Sequence, residues 1–266
     1  MSVETAVQFE IEGSIARLRL NRPKQLNTLT VDMVVRLLAI FDELRGRTDV
    51  RVLVLSGAGE HFCAGLDLKQ PLPVLAGNPA DAMRFMQGFG DVVLRMRACP
   101  QPIICLLRGA SAGGGLALAL ASDIRLGTPC LRMNAAFVRL GLSGTEMGVS
   151  WLLPRLVGAS RAAELLMTGR FVSGAEALSI GLLSRLTSVE ELESVTAELV
   201  DTLLLADPLG LRLTKEALHA GCGGGSLEAA IAFENRNQSL CFASGSVRAG
   251  VEAFVAKRVA RAPQQS

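Results

Sequence analysis

Apolar and polar residues alternate through Val7, Phe9 and Ile11, the run breaks at Gly13, and the alternation resumes over residues 15–20. A period of two on either side of a glycine predicts a β-hairpin, which Asn21-Arg22-Pro23 ends. The period then lengthens. Behind Thr30, an N-cap residue type, Val34, Leu37, Phe41 and Leu44 recur at helical spacing through about Arg45, with Asp32 in the first turn. Residues 51–55 (RVLVL) are almost continuously apolar, as in a strand buried on both faces of a parallel sheet. Strand, helix, strand in that order implies a right-handed crossover. A second helix is predicted from Asn78-Pro79 onward, with Phe85, Phe89, Val92 and Met96 on one face and Pro100 and Pro102 beyond its end. That stripe reads equally as core or as the wall of an acyl pocket.

The stretch over residues 103–126, IICLLRGASAGGGLALALASDIRL, predicts a buried strand, a glycine-rich turn, a small-residue helix and another strand. Gly113-Gly114-Gly115 leave main-chain N–H groups uncovered where a helix N-terminus adds partial positive charge, which suits an anion or a developing oxyanion. The glycines do not form a clean G-x-G-x-x-G. Residues 109–113 do match G-x-S-x-G, the pattern of a serine nucleophile elbow at Ser111. Glycines that only permit close helix packing are the third reading. Upstream, residues 56–68 (SGAGEHFCAGLDL) form a second glycine-punctuated loop. No lysine-serine/threonine pair follows it, which excludes a Walker site. His61 there is a packing or capping residue or a base, Ala64-Gly65 would let a ligand carbonyl approach the main chain, and Asp67 is most simply a turn-stabilising side chain.

Residues 131–137 are predicted as a strand. Glu146 then lies among glycines, Met147 and Trp151. Apolar surroundings would raise its pKa toward the range of a general base, whereas a helix N-terminal glutamate would merely offset the macrodipole. The remainder is helical: Ser160 and Gly169 bracket one helix, Ser173 with Glu176 and Ser188 with Glu191 form capping boxes, and Asp207-Pro208 and Ser226 begin others. Residues 221–225 (GCGGG) form a flexible joint, and Ala229, Phe233, Leu240 and Phe254 suggest apolar faces that need a partner.

Composition narrows the class. The 266 residues are 50% hydrophobic and 20% charged, with a formal net charge of +2 and no charge blocks. That is ordinary globular composition, with no footprint for nucleic acid or a membrane surface. Apolar runs stop short of a membrane span and MSVETAVQFE carries no basic segment, so a cytoplasmic location is expected. The six cysteines are far apart with no C-x-x-C, which argues against a zinc site or a disulfide framework.

Asn21-Arg22-Pro23, residues 61–68 (HFCAGLDL), Gly113-Gly114-Gly115, Ser122-Asp123-Ile124, residues 153–158 (LPRLVG) and residues 254–258 (FVAKR) occur in order over nearly the whole chain. Together they closely resemble the crotonase, or enoyl-CoA hydratase/isomerase, superfamily. The resemblance implies an α/β fold, a spiral of repeated ββα units over residues 1–200, with a helical C-terminal trimerisation region over 201–266. It implies a homotrimer or dimer of trimers, an acyl-CoA thioester as ligand with coenzyme A as part of the substrate, and no redox cofactor or metal. By position, the N–H groups of Ala64 and Gly114 would form the oxyanion hole, and Ala64, Asp67, Leu68, Phe254 and Lys257 would contact coenzyme A. The positions matching the two glutamates of hydratases are Ala117 and Phe137, which cannot move a proton. Glu146 instead matches the single acid of enoyl-CoA isomerases. The expected activity is therefore double-bond migration in an enoyl-CoA of fatty-acid or related acyl-CoA metabolism. The alternatives are a hydratase by family alone, a non-catalytic acyl-CoA binder, and a serine hydrolase using Ser111 with His219.

Overall fold

The computed structural model describes residues 5–69, 79–221, 226–243 and 247. The chain divides into two compact units, Met1–Thr202 and Leu203–Ser266. In the first, β1 (Val7–Glu12) and β2 (Ile15–Leu20) form the expected antiparallel hairpin, with Val7 opposite Leu20. Helix α1 (Val31–Gly46) begins where the Thr30 hydroxyl accepts the Met33 N–H at 3.2 Å, and it buries Val34, Leu37, Phe41 and Leu44. β3 (Val52–Gly57) then pairs parallel to β2. Helix α2 (Pro79–Ala98) buries Phe89, Val92 and Met96 and leads to β4 (Ile103–Leu107), which is buried along its whole length.

From β4 onward the chain alternates between two sheets. β5 (Ala110–Ala112) joins the second sheet, α3 (Gly114–Ala121) follows, and β6 (Ile124–Gly127) returns to the first. β7 (Arg132–Asn134) again joins the second sheet and is followed by α4 (Val149–Val157) and α5 (Ala159–Thr168). A last turn comprises β8 (Val172–Ser173) in the second sheet, α6 (Gly174–Ser179) and β9 (Arg185–Leu186) in the first. The first sheet has the order β1-β2-β3-β4-β6-β9, parallel except for β1, and the second has β5-β7-β8. This is the spiral of ββα turns that the resemblance implied.

All eight residues of α3 are buried. A helix with no exposed face tolerates only small or well-fitted side chains, which accounts for its GGLALALA sequence. Gly115 marks the tightest point: a Cβ there would lie 2.1 Å from the Cys63 carbonyl oxygen.

Two local expectations are corrected. The strand expected over residues 131–137 stops at Asn134, because it can extend no further than its partners β5 and β8, and Phe137 falls in a 3-10 helix (Ala136–Leu140) that Gly141 ends at φ +77°. The Ser173–Glu176 capping box forms only by half. The Ser173 hydroxyl accepts the Glu176 N–H at 3.2 Å, but the Glu176 carboxylate is drawn to Arg170 at 2.7 and 3.0 Å.

Helix α7 (Leu192–Leu204) carries the chain into the second unit, which contains α8 (Pro208–Gly221) and α9 (Leu227–Ala243). As expected, Asp207 caps α8 through the Gly210 N–H at 3.0 Å and Ser226 caps α9 through the Ala229 N–H at 3.2 Å. Leu218, Leu227 and Phe242 are exposed within this unit. The glycine joint at 222–225 and Phe254 lie outside the described residues.

The tight contact at Gly115 generates a test. Gly115→Ala forces a methyl group into main chain that cannot yield, so it should destabilise the fold by at least about 1–3 kcal/mol, measured as a lower midpoint in urea unfolding.

Candidate active site

Two loops meet beside the N-terminus of α3. The first follows β3. Its Phe62 N–H donates to Arg108 C=O at 2.9 Å, Cys63 N–H to Ala110 C=O at 3.0 Å, and Ala112 N–H to Cys63 C=O at 3.0 Å. This segment therefore lies along β5, the strand that delivers Gly113 and Gly114. Next comes Gly65, at φ +98°, a backbone conformation open mainly to glycine. A Cβ on Gly65 would sit 3.0 Å from the Ala112 carbonyl oxygen and 3.5 Å from the Gly114 nitrogen, so the two glycine turns abut with no side chain between them.

The expectation that Ala64 supplies the first oxyanion donor is corrected. Its N–H already donates to Leu26 C=O at 3.0 Å. The next residues pair with Leu29: Gly65 C=O accepts the Leu29 N–H at 2.7 Å and Asp67 N–H donates to Leu29 C=O at 2.9 Å. In an extended strand successive amides point to opposite sides, so the intervening Leu66 N–H is directed away from Leu29. It has no hydrogen-bond acceptor among the described residues. The same holds for the Gly114 N–H: Ala110 C=O, four residues before it, is already taken by Cys63, and Gly113 offers no side-chain cap. Two unsatisfied amides, Leu66 and Gly114, thus flank the Gly65–Gly114 contact, and the α3 macrodipole adds positive potential to the second.

Apolar side chains wall this corner. A Cβ on Gly114 would meet Leu29 Cδ1 at 3.0 Å and Met147 Sδ at 3.4 Å, and one on Gly113 would meet Phe137 Cε1 at 3.5 Å. Met147 is buried and holds φ +50°, which is strained for a side chain of its size. Its neighbour Glu146 is half-buried, and no hydrogen bond or ion pair reaches its carboxylate among the described residues. Burial alone pushes its pKa above the ordinary carboxylate value. Ala117 and Phe137 are both buried, and neither brings an acid to the corner.

The remaining candidates fall elsewhere. His61 accepts the Ala110 N–H on Nδ1 at 3.0 Å and so pins its loop to β5. Ser111 sits inside β5 rather than on a turn, is wholly buried, and its hydroxyl has no hydrogen-bond partner among the described residues. A nucleophile needs both access and a base, and Ser111 has neither among the described residues of this unit. His219 lies in the last turn of α8, in the second unit. Asp67 is buried with its carboxylate on Arg22, Leu68 is exposed, and Phe254 and Lys257 lie outside the described residues. The described residues include no group of three His, Cys, Asp or Glu able to hold a metal ion, and no helix long and apolar enough to cross a membrane.

Comparison with known proteins agrees with the class of fold that the spiral topology defines. Residues 10–265 match the family model for enoyl-CoA hydratase/isomerase, and the chain belongs to that family. A Mycobacterium bovis protein named probable enoyl-CoA hydratase echA12 is 39% identical over 84% of this chain and 80% of its own length. The 1,2-epoxyphenylacetyl-CoA isomerase of Escherichia coli is 32% identical over 93% of this chain and 94% of its own. A Thermobifida fusca protein assigned as an enoyl-CoA hydratase, solved in complex with acetoacetyl-CoA, superposes with a TM-score of 0.83 at 29% identity, covering 90% of this chain and 95% of that one.

The raised pKa of Glu146 has a consequence for stability. Its carboxyl holds its proton more tightly folded than unfolded, so folding stability falls as pH rises from the unfolded value of about 4.3 through the raised folded value. Glu146→Gln carries no such cost. The variant should match the wild type in acid and exceed it at neutral pH, seen as a difference in thermal midpoint that grows with pH and then levels off.

Proposed function

We propose that the protein is an enoyl-CoA isomerase that moves a double bond in an acyl-CoA thioester, using Leu66 and Gly114 as oxyanion donors and Glu146 as its single base. One observation carries the reading: Glu146 precedes Met147, whose sulfur lies against Gly114, it makes no hydrogen bond or ion pair among the described residues, and burial raises its pKa, while the resemblance puts the buried Ala117 and Phe137 where a hydratase would need its glutamates. The thioester follows from family membership and from the acetoacetyl-CoA held by the Thermobifida fusca neighbour.

In this mechanism the thioester oxygen accepts both N–H groups, which makes the C2–H of a β,γ-enoyl thioester acidic. The Glu146 carboxylate takes that proton and the electron pair spreads over C2, C4 and the oxygen. The protonated Glu146 then returns the proton to C4, leaving the α,β isomer. No atom is gained or lost, so one base suffices. Preorganised donors matter most where charge develops, and each is worth about 2.7–4 kcal/mol of barrier in comparable sites. The apolar wall of Leu29, Phe137 and Met147 keeps water from the dienolate and strengthens both hydrogen bonds.

Hydration is the second reading, favoured by the name of the mycobacterial relative. Syn addition of water needs a group that activates water and one that protonates C2, and among the described residues of this corner the candidate acid is Glu146 alone. The resemblance adds a homotrimer in which Phe254 and Lys257 contact coenzyme A, and the apolar faces of α8 and α9 are suited to that assembly.

Incubating matched β,γ- and α,β-enoyl-CoA thioesters with the protein separates the readings. Isomerisation without hydration is expected. Glu146→Gln should lower kcat by about 100- to 10,000-fold while acyl-CoA still binds. Undiminished isomerisation in that variant, or hydration as the faster reaction, would overturn the proposal.

A further inference from the structure

The described structure holds a largely buried polar network that the proton transfer does not use, tying together the segments that flank Leu29 and Leu66. Asn27 is wholly buried at φ +55°; its Nδ2 donates to Ala58 C=O at 2.9 Å and to His61 C=O at 2.8 Å, and its Oδ1 accepts the Arg22 N–H at 2.8 Å. The Arg22 guanidinium spans two segments as a fork. One arm donates to Thr28 C=O at 2.7 Å, and the other donates to Asp67 Oδ2 at 2.8 Å. The remaining Asp67 oxygen accepts the Lys69 N–H at 3.0 Å. Both partners are largely withdrawn from water, with side-chain exposures of 20% and 8%.

Taking a charged pair out of water is a poor route to stability, since desolvation offsets most of the attraction. Geometry is what such a pair supplies. Asp67 directly follows Leu66 and is held twice, by its main-chain N–H on Leu29 and by its carboxylate on Arg22. Leu29 in turn sits on the same short segment as Thr28, which the other Arg22 arm grips. The fork therefore clamps the two strands whose pairing aims the Leu66 N–H.

We propose that the Arg22–Asp67 pair is a positioning device for the oxyanion hole, acting on the reaction through the Leu66 amide rather than by contact with coenzyme A. The inference rests on the oxyanion reading above. Its consequence is a split between chemistry and binding: loosening the clamp should misplace a donor that matters when charge develops, and leave the nucleotide end of the ligand untouched. Displacing a catalytic group by about 1 Å can cost on the order of 100-fold in rate.

The test uses the full-length protein with two variants and two ligands. Asp67→Asn keeps the shape and removes the charge; Arg22→Lys keeps the charge and removes the fork. Acetoacetyl-CoA reports on the hole, because a bound enolate has its own ultraviolet band, and free coenzyme A reports on binding without a thioester. Both variants should lose up to about 100-fold in kcat and most of the enolate band, with free coenzyme A binding as in the wild type. If Asp67→Asn does not fold, Arg22→Lys decides alone. Variants with wild-type kcat and wild-type enolate would overturn the positioning role, as would weakened coenzyme A binding with kcat intact, which would make Asp67 a ligand contact. A wild-type protein that binds acetoacetyl-CoA without forming enolate would instead sink the oxyanion reading, and the inference with it.

Discussion

Everything at the proposed site depends on how closely two stretches of main chain approach. Gly65 and Gly114 abut so tightly that a Cβ on the first would lie 3.5 Å from the nitrogen of the second. Amides can converge on one oxygen only if no side chain stands between them, and here none does. The contact is held from both sides: Cys63 is laced to β5 by hydrogen bonds on its N–H and its C=O, and Leu29 binds the segment beyond Gly65 in the same way. Substituting any of these glycines would act on the spacing of the donors as well as on stability.

The electrostatics follow from that packing. Helix α3 is buried throughout and starts without a side-chain cap, so its first amide keeps its hydrogen-bonding capacity and its positive potential in a poorly screened environment. Burial also desolvates Glu146, next to Met147 of the apolar wall, and raises its affinity for a proton. In the proposed mechanism both effects act in the same direction, since hydrogen bonds to a developing oxyanion and the basicity of a carboxylate each rise as water is excluded. Where the family pattern of a hydratase would place charge, at Ala117 and Phe137, the chain keeps the corner apolar.

Several elements were legible because their determinants are local. The hairpin, the Thr30 cap, the buried strands β3 and β4 and the caps at Asp207 and Ser226 each follow from a period or from a residue one turn away. The strand expected through Phe137 failed for a non-local reason: its length is set by β5 and β8, not by its own residues. The Ser173–Glu176 box failed because a third residue, Arg170, outcompeted the main-chain N–H for the Glu176 carboxylate. Asp67 was readable as a turn residue, but its partner Arg22 is distant in sequence and no spacing announces it.

By itself the sequence determined the class of fold, the glycine turn that opens α3 and the absence of acids at positions 117 and 137, since each depends on residue type and order. It located the loop of the proposed first oxyanion donor but not the amide. Ala64 and Leu66 both carry an N–H beside Gly65, and nothing in their side chains distinguishes them. Only tertiary pairing does so: Leu26 consumes the Ala64 donor, whereas Leu29 binds the neighbours of Leu66 and leaves its N–H directed away from Leu29. Main-chain donors are chemically identical along a chain, so which of them remains free is decided by what the rest of the fold has already bonded.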